Sequence, residues 1–232
     1  MNSVKRYDIM DKKIGGICMR ESIPSFDNHD TRIRYYELLL ERDLPEEMPD
    51  HPLPKGYRFV FFKPGERDEW ISIEKDAKEF DSYGQGLDAW ARYYADREDE
   101  LTDRMVFIET DQGEKIATAT AFYDITGRDT SGSAWLHWVA VKRSHQGKGL
   151  SKPLISHVLG IMKKLGYTHA KIPTQTYTWL ACKVYLDLGF LPIPKNAVNS
   201  RDGWRIIKAL TDHPALSHFD AASPYEIVTS DV

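Results

Sequence analysis

The sequence of 232 residues predicts an α/β fold: a mixed, mostly antiparallel sheet flanked by helices, with an N-terminal extension. Three observations carry this expectation. Runs rich in aromatic and β-branched residues recur between residues 57 and 141. Segments with apolar residues three and four apart lie before and after them. Finally, the strand-like run "AWLHWVAV" enters the turn "HQGKGLSK", then an apolar helical run, then another strand. That is the order of a right-handed βαβ unit.

Residues 1–54 read as an extension. "IGGICMR" has the character of a short strand. "DTRIRYYELLLERD" places Ile33, Tyr36 and Leu40 at helical spacing, with Asp30 or Thr31 as the N-cap, and predicts a helix. "LPEEMPDHPLP" holds four prolines in eleven residues and reads as a linker. "YRFVFF" opens residues 55–195, the main domain, as a strand. Two helices follow: "PGERDEWISIEKDAKEF", with Trp70, Ile73 and Ala77 on one face, and "GLDAWARYYADREDEL". "RMVFIET" and "KIATATAFYD" flank "DQGE" and predict a hairpin with Gly113 in its turn. "AWLHWVAV" is the next strand. "LSKPLISHVLGIMKKL" predicts a helix, with Pro153 near its start and Gly166 past its end. "HAKIPTQT" is a strand, "TWLACKVYLDL" a helix stopped at Gly189, and "FLPIP" extended. Residues 196–232 read as a helical tail packed on the domain.

Composition narrows the function. Hydrophobic residues make up 41% and charged residues 28%, which is globular rather than disordered. The net charge of −4, with scattered lysines and arginines, disfavours nucleic acid as a partner. Cys18 and Cys182 lack metal or disulfide spacing, no apolar run reaches membrane length, and the N-terminus has no signal-peptide pattern. A cytoplasmic protein with no metal and no membrane partner is expected.

The glycine turn raises the question of an anion. Backbone N–H groups at a helix start bind phosphate well, and Lys142, Arg143 and Lys148 lie close by. The turn lacks the spacing of a Walker A loop, and Lys152 stands where a dinucleotide fingerprint needs its third glycine. A flexible strand-to-helix turn with no ligand is the plain alternative.

"VAVKRSHQGKGLS" resembles the acyl-CoA signature of the GNAT superfamily of N-acetyltransferases, with Gln146, Gly149 and Ser151 at the signature positions. "ACKVYLDLGF" resembles the second signature of that superfamily at Ala181, Tyr185, Gly189 and Phe190. "YRFVFFKPGERDEWISI" is similar to its opening strand and helix, so the resemblance covers residues 56–192. Thr178 stands where many members carry Asn, and Ser151 replaces a glycine or alanine.

The resemblance implies the GNAT-like fold and acetyl-CoA as acyl donor to a primary amine, attacked directly in a ternary complex. It implies that the pyrophosphate sits on the backbone of Gly147, Lys148, Gly149, Leu150 and Ser151, with Gln146 assisting and Thr178 nearby. Pantetheine would pair with the backbone of Val139 and Val141, and the Val139 N–H would polarise the thioester carbonyl. Tyr185 is the expected general acid. His137 is the first choice of general base and Glu109 the second, with water, or an amine that arrives already neutral, as the remaining alternative. Trp135, Trp138, Phe122 and Tyr123 are expected to be packing residues, as is Cys182. The acceptor, a small molecule or peptide amine, and the oligomeric state are left open. A non-catalytic acyl-CoA-binding module is the alternative, and it would need neither Tyr185 nor His137. A nucleotide-binding oxidoreductase is a more distant one.

Overall fold

The computed structural model describes residues 23–46, 51–193 and 201–229. The expected strand at "IGGICMR" lies outside them. Contacts divide the chain into two compact units.

The larger unit, 39–173 with 184–194, is built on a sheet of seven strands. They are β1 (Glu37–Asp43), β2 (Tyr57–Phe61), β3 (Met105–Thr110), β4 (Lys115–Phe122), β5 (Ala134–Val141), β6 (His169–Gln175) and β7 (Leu191–Pro192), in the order β2-β3-β4-β5-β6-β1-β7. Strands β2 to β5 are antiparallel neighbours, and β5 and β6 are parallel, joined through helix α4 (Ser151–Lys164). The hairpin expected around Gly113 is present, with that glycine at φ +84°.

Alternation along β4 divides the core. Thr118, Thr120 and Phe122 face one way, Ala117, Ala119 and Ala121 the other, and all six are buried. On the first side, α1 (Arg67–Asp76) and α2 (Tyr83–Tyr93) bring Trp70, Ile73, Trp90 and Tyr94 against Phe107, Phe122 and Ala140. The alanines let α4 approach β4 closely, and α4 buries Leu154, Ile155, Val158, Leu159 and Met162. Helix α2 starts with a full capping box, Ser82 accepting from Gln85 N–H while the Gln85 side chain returns to Ser82. The short helix α3 (Glu98–Leu101) leads into β3.

The helix expected over residues 30–43 is not formed. Leu38, Leu39 and Leu40 are all buried, at 1%, 7% and 0% exposure, and residues 37–43 are the strand between β6 and β7. A continuous buried run is what a strand covered on both faces needs, and such a run has no helical face to align. Ile33, assigned to the same helix, instead bridges Val228.

In the smaller unit, Phe26, Ile33, Ile206, Ala222 and Ile227 form a core. It includes α6 (Arg201–Thr211) and α7 (Pro224–Ile227), so the predicted tail helix is present. Gly203 admits a close approach: a Cβ there would lie 2.8 Å from Leu38 Cδ2 and 2.9 Å from Tyr36 Cβ. Helix α5 (Trp179–Asp187) ends before Gly189, whose φ is +82°.

Candidate active site

Strand β5 carries the features that set the site. It pairs with β6 only at Ala134–Ala170 and Trp135–Lys171. A clamp sits at this pairing: the Asp129 carboxylate accepts from Trp135 Nε1 at 2.7 Å and from Lys171 Nζ at 2.9 Å. Beyond Trp135, the β5 edge that faced β6 has no strand partner among the described residues.

On the other edge the register with β4 slips. Thr120 pairs with His137 and Thr118 with Ala140, so Trp138 and Val139 together face Ala119. This is a β-bulge. Trp138 takes φ +50°, a conformation a bulky residue adopts only when its surroundings impose it. The surroundings are aromatic: Trp70, Phe80 and Tyr93 rings lie 5.5, 5.2 and 5.6 Å from the Trp138 ring.

Past the bulge, Lys142 N–H donates to the Ile116 carbonyl at 2.8 Å. Hydrogen-bonding direction alternates along an antiparallel pair, so the N–H and C=O of Val141 turn to the bare edge. Gln146 Nε2 caps that carbonyl at 2.9 Å. The first signature residue thus secures the end of the strand from which the turn departs.

The turn itself holds Gly147 at φ +74° and Gly149 at φ +77°, where, among the described residues beyond the chain neighbours, nothing lies within 4 Å of an added Cβ. Left-handed glycines turn successive N–H groups to one side and form an anion nest. Leu150, buried, is the N-cap of α4; it supplies no side-chain cap, and the first turn, beginning at Ser151, carries no acidic residue. The opening N–H groups of α4 therefore keep their capacity for an anion. Lys142 and Lys152 are paired, with Glu114 and Asp187, while Lys148 makes no ion pair among the described residues.

His137 is 8% exposed, and its Nδ1 has no hydrogen-bond partner among the described residues. Burial pushes its pKa down from 6.5 to about 4, against the opposing charge of Asp124. Its ring packs edge-on to Tyr93 at 5.6 Å and against Phe122 at 5.5 Å. The folded state thus binds a His137 proton less readily than the unfolded chain. Stability from this group is full above about pH 6.5 and lost as pH falls toward 4. Acid unfolding should therefore steepen through that interval in the wild type and flatten in His137→Gln, measured by urea midpoints at each pH.

Glu109 is committed elsewhere. It is ion-paired with Arg58 and registers with Lys115, whereas His137 registers with Thr120. At about 3.4 Å per residue the two levels stand about 17 Å apart along β4. Tyr185 is 5% exposed, with its ring edge-on to Phe190 at 6.2 Å. Its carbonyl accepts from Phe190 N–H at 3.0 Å. Thr178 belongs to the smaller unit, where its hydroxyl donates to the Gln175 carbonyl at 3.1 Å. Cys182 is wholly buried, and burial pushes its thiol up to about 12, which suits packing rather than attack.

The model of the acetyltransferase (GNAT) family matches residues 67–190, more than half of the chain. The chain belongs to this family. Among solved structures, this GNAT member is similar to a GCN5-related N-acetyltransferase from Sphaerobacter thermophilus, at 18% identity and TM-score 0.55. That match covers 70% of the chain and 49% of the other. An acetyltransferase of the GNAT family from Colwellia psychrerythraea matches at 12% identity and TM-score 0.52, over 70% of the chain and 55% of its own. Both likenesses show the fold. The GNAT chain spans about half the length of these two structures. No curated protein matches it. Among the described residues no helix is long and apolar enough to cross a membrane.

Two features of this GNAT member were missed in the sequence. The bulge at Trp138 has no local signal, because "HWVA" continues an ordinary strand pattern. Glu74 had one: it falls beside Ile73 and one turn after Trp70 on the face that the sequence marks as apolar.

Proposed function

We propose that the chain transfers the acetyl group of acetyl-CoA to a primary amine by direct attack in a ternary complex. The observation that carries this reading is the juxtaposition on one strand and its turn. The β5 edge that β6 leaves bare runs directly into two left-handed glycines and a helix start without a side-chain cap.

Acetyl-CoA supplies an activated thioester. The backbone from Gly147 to Ser151 would hold its pyrophosphate, with Lys148 adding charge. Val139 and Val141 would pair through their backbone with the amides of pantetheine. Because Gln146 already occupies the Val141 carbonyl, the Val141 N–H is the group left for the ligand. The Val139 N–H, beside the bulge, would polarise the thioester carbonyl. His137 would take the proton of the attacking amine. Its low pKa keeps it neutral at pH 7 and makes it a weak base, so positioning of the amine carries much of the rate. Tyr185 would protonate the departing sulfur.

Thermal unfolding with acetyl-CoA, CoA and NAD tests the cofactor. At about 100 times its dissociation constant, a ligand of the native state adds about 2.7 kcal/mol. Both CoA forms should raise Tm and NAD should not. An amine screen for thiol release then tests the reaction. A CoA shift with no thiol release from any amine would turn the reading toward a non-catalytic acyl-CoA-binding module.

A further inference from the structure

Behind His137, on the α1 side of the sheet, lies a group of buried polar atoms with no hydrogen-bond partner among the described residues. They are both carboxyl oxygens of Glu74, Trp70 Nε1, Tyr94 OH, and the hydroxyls of Thr118 and Thr120. All five residues are 0% exposed. Native folds leave only a few such atoms per hundred residues, because each one buried unpaired is costly.

These groups adjoin one another. Trp70 and Glu74 are four apart on α1, and α1 packs on β4 and β5. Thr118 and Thr120 are successive inward residues of β4, and Thr120 faces His137 across the pair. The Tyr94 ring is 5.6 Å from Trp70 and 5.3 Å from Phe122. Besides burial, the Thr120 hydroxyl and the Glu74 charge both act on the Tyr94 hydroxyl, so the three groups lie near one another.

The inventory says what would satisfy every member of the group but the Trp70 N–H. Trp70 Nε1 is the sole obligate donor of the five residues; Glu74, once ionised, only accepts, and the three hydroxyls accept as readily as they donate. Trp70, Trp90, Tyr94 and Phe122 belong to the one buried aromatic cluster here. An ammonium brings three donors and a positive charge suited to such a cluster. In its absence burial, with the nearby charge of Glu79, raises the Glu74 carboxyl well above its ordinary range. A cation beside it would reverse that.

We propose that this buried group is the recognition site for a second ammonium of the acceptor, held by Glu74, Thr118, Thr120 and Tyr94 while the reacting amine stands at His137. The acceptor is then a primary diamine. The proposal rests on the acetyl-transfer reading above.

The test compares 1,4-diaminobutane with butylamine, in thiol release from acetyl-CoA and in thermal shift with no acetyl-CoA present. The wild type should favour the diamine by about tenfold in kcat/KM, as a charge-assisted contact warrants. It should also be stabilised by the diamine alone. Glu74→Gln, which keeps the shape, should lose both effects yet keep its thermal shift with CoA. Thr118→Val, away from the reacting nitrogen, should weaken the preference and guards against misfolding of the first variant. Equal use of both amines, or a preference that survives Glu74→Gln, would overturn the proposal. If no amine releases thiol, the acetyl-transfer reading fails. The diamine site then stands or falls on the thermal shift and its loss in Glu74→Gln.

Discussion

Gly149→Asp should abolish the thermal shift produced by acetyl-CoA and, with it, acetyl transfer. Two effects combine. The residue sits at φ +77°, and a side chain there costs about 1–2 kcal/mol of backbone strain. The second effect is larger. Among the described residues beyond its chain neighbours, nothing lies within 4 Å of the new Cβ, so the carboxylate would project into the space where the proposed pyrophosphate would sit. A negative charge about 5 Å from a pyrophosphate, at an effective dielectric of about 20, is unfavourable by about 3 kcal/mol, or about two orders of magnitude in affinity. Gly149→Asn separates the two effects, since Asn meets the left-handed backbone much as Asp does and carries no charge. The Asn variant should keep most of the shift that the Asp variant loses. If Gly149→Asp binds acetyl-CoA as the wild type does, the turn is not the seat of the phosphates, and the cofactor assignment fails at its centre.

The elements that surround this turn were legible because each carries a local signal. Gly113, Gly166 and Gly189 all have positive φ, at the hairpin turn, past α4 and past α5, where a left-handed residue was expected. Strand β1 was not legible. Its leucines read as helical because Ile33, Tyr36 and Leu40 are three or four apart, and only neighbours distant in sequence, β6 and β7, turn the run into a strand. The candidate site divides in the same way. Signatures mark the residues whose spacing is local, Gln146 to Ser151. The parting of β5 from β6, the bulge at Trp138 and the Asp129 clamp depend on tertiary pairing. Burial does the same to chemistry. His137 looks like a near-neutral base in sequence, and its enclosure by Tyr93 and Phe122 moves it to about 4.

With His137 proposed as so weak a base, the leaving group would carry more of the work, and Tyr185→Phe should show it. The variant keeps the ring that packs on Phe190 and the backbone that receives the Phe190 N–H. Only the hydroxyl is lost, so CoA should stabilise the variant as it stabilises the wild type. If the hydroxyl protonates the departing sulfur, kcat should fall about a hundredfold, the usual scale of a positioned acid, with KM for acetyl-CoA little changed. A wild-type rate would leave Tyr185 as a packing residue of α5, and a fall in rate that came only with weaker acetyl-CoA binding would remove its role as the acid. Neither result would bear on the glycine turn, because Gly149→Asp tests that turn by binding alone.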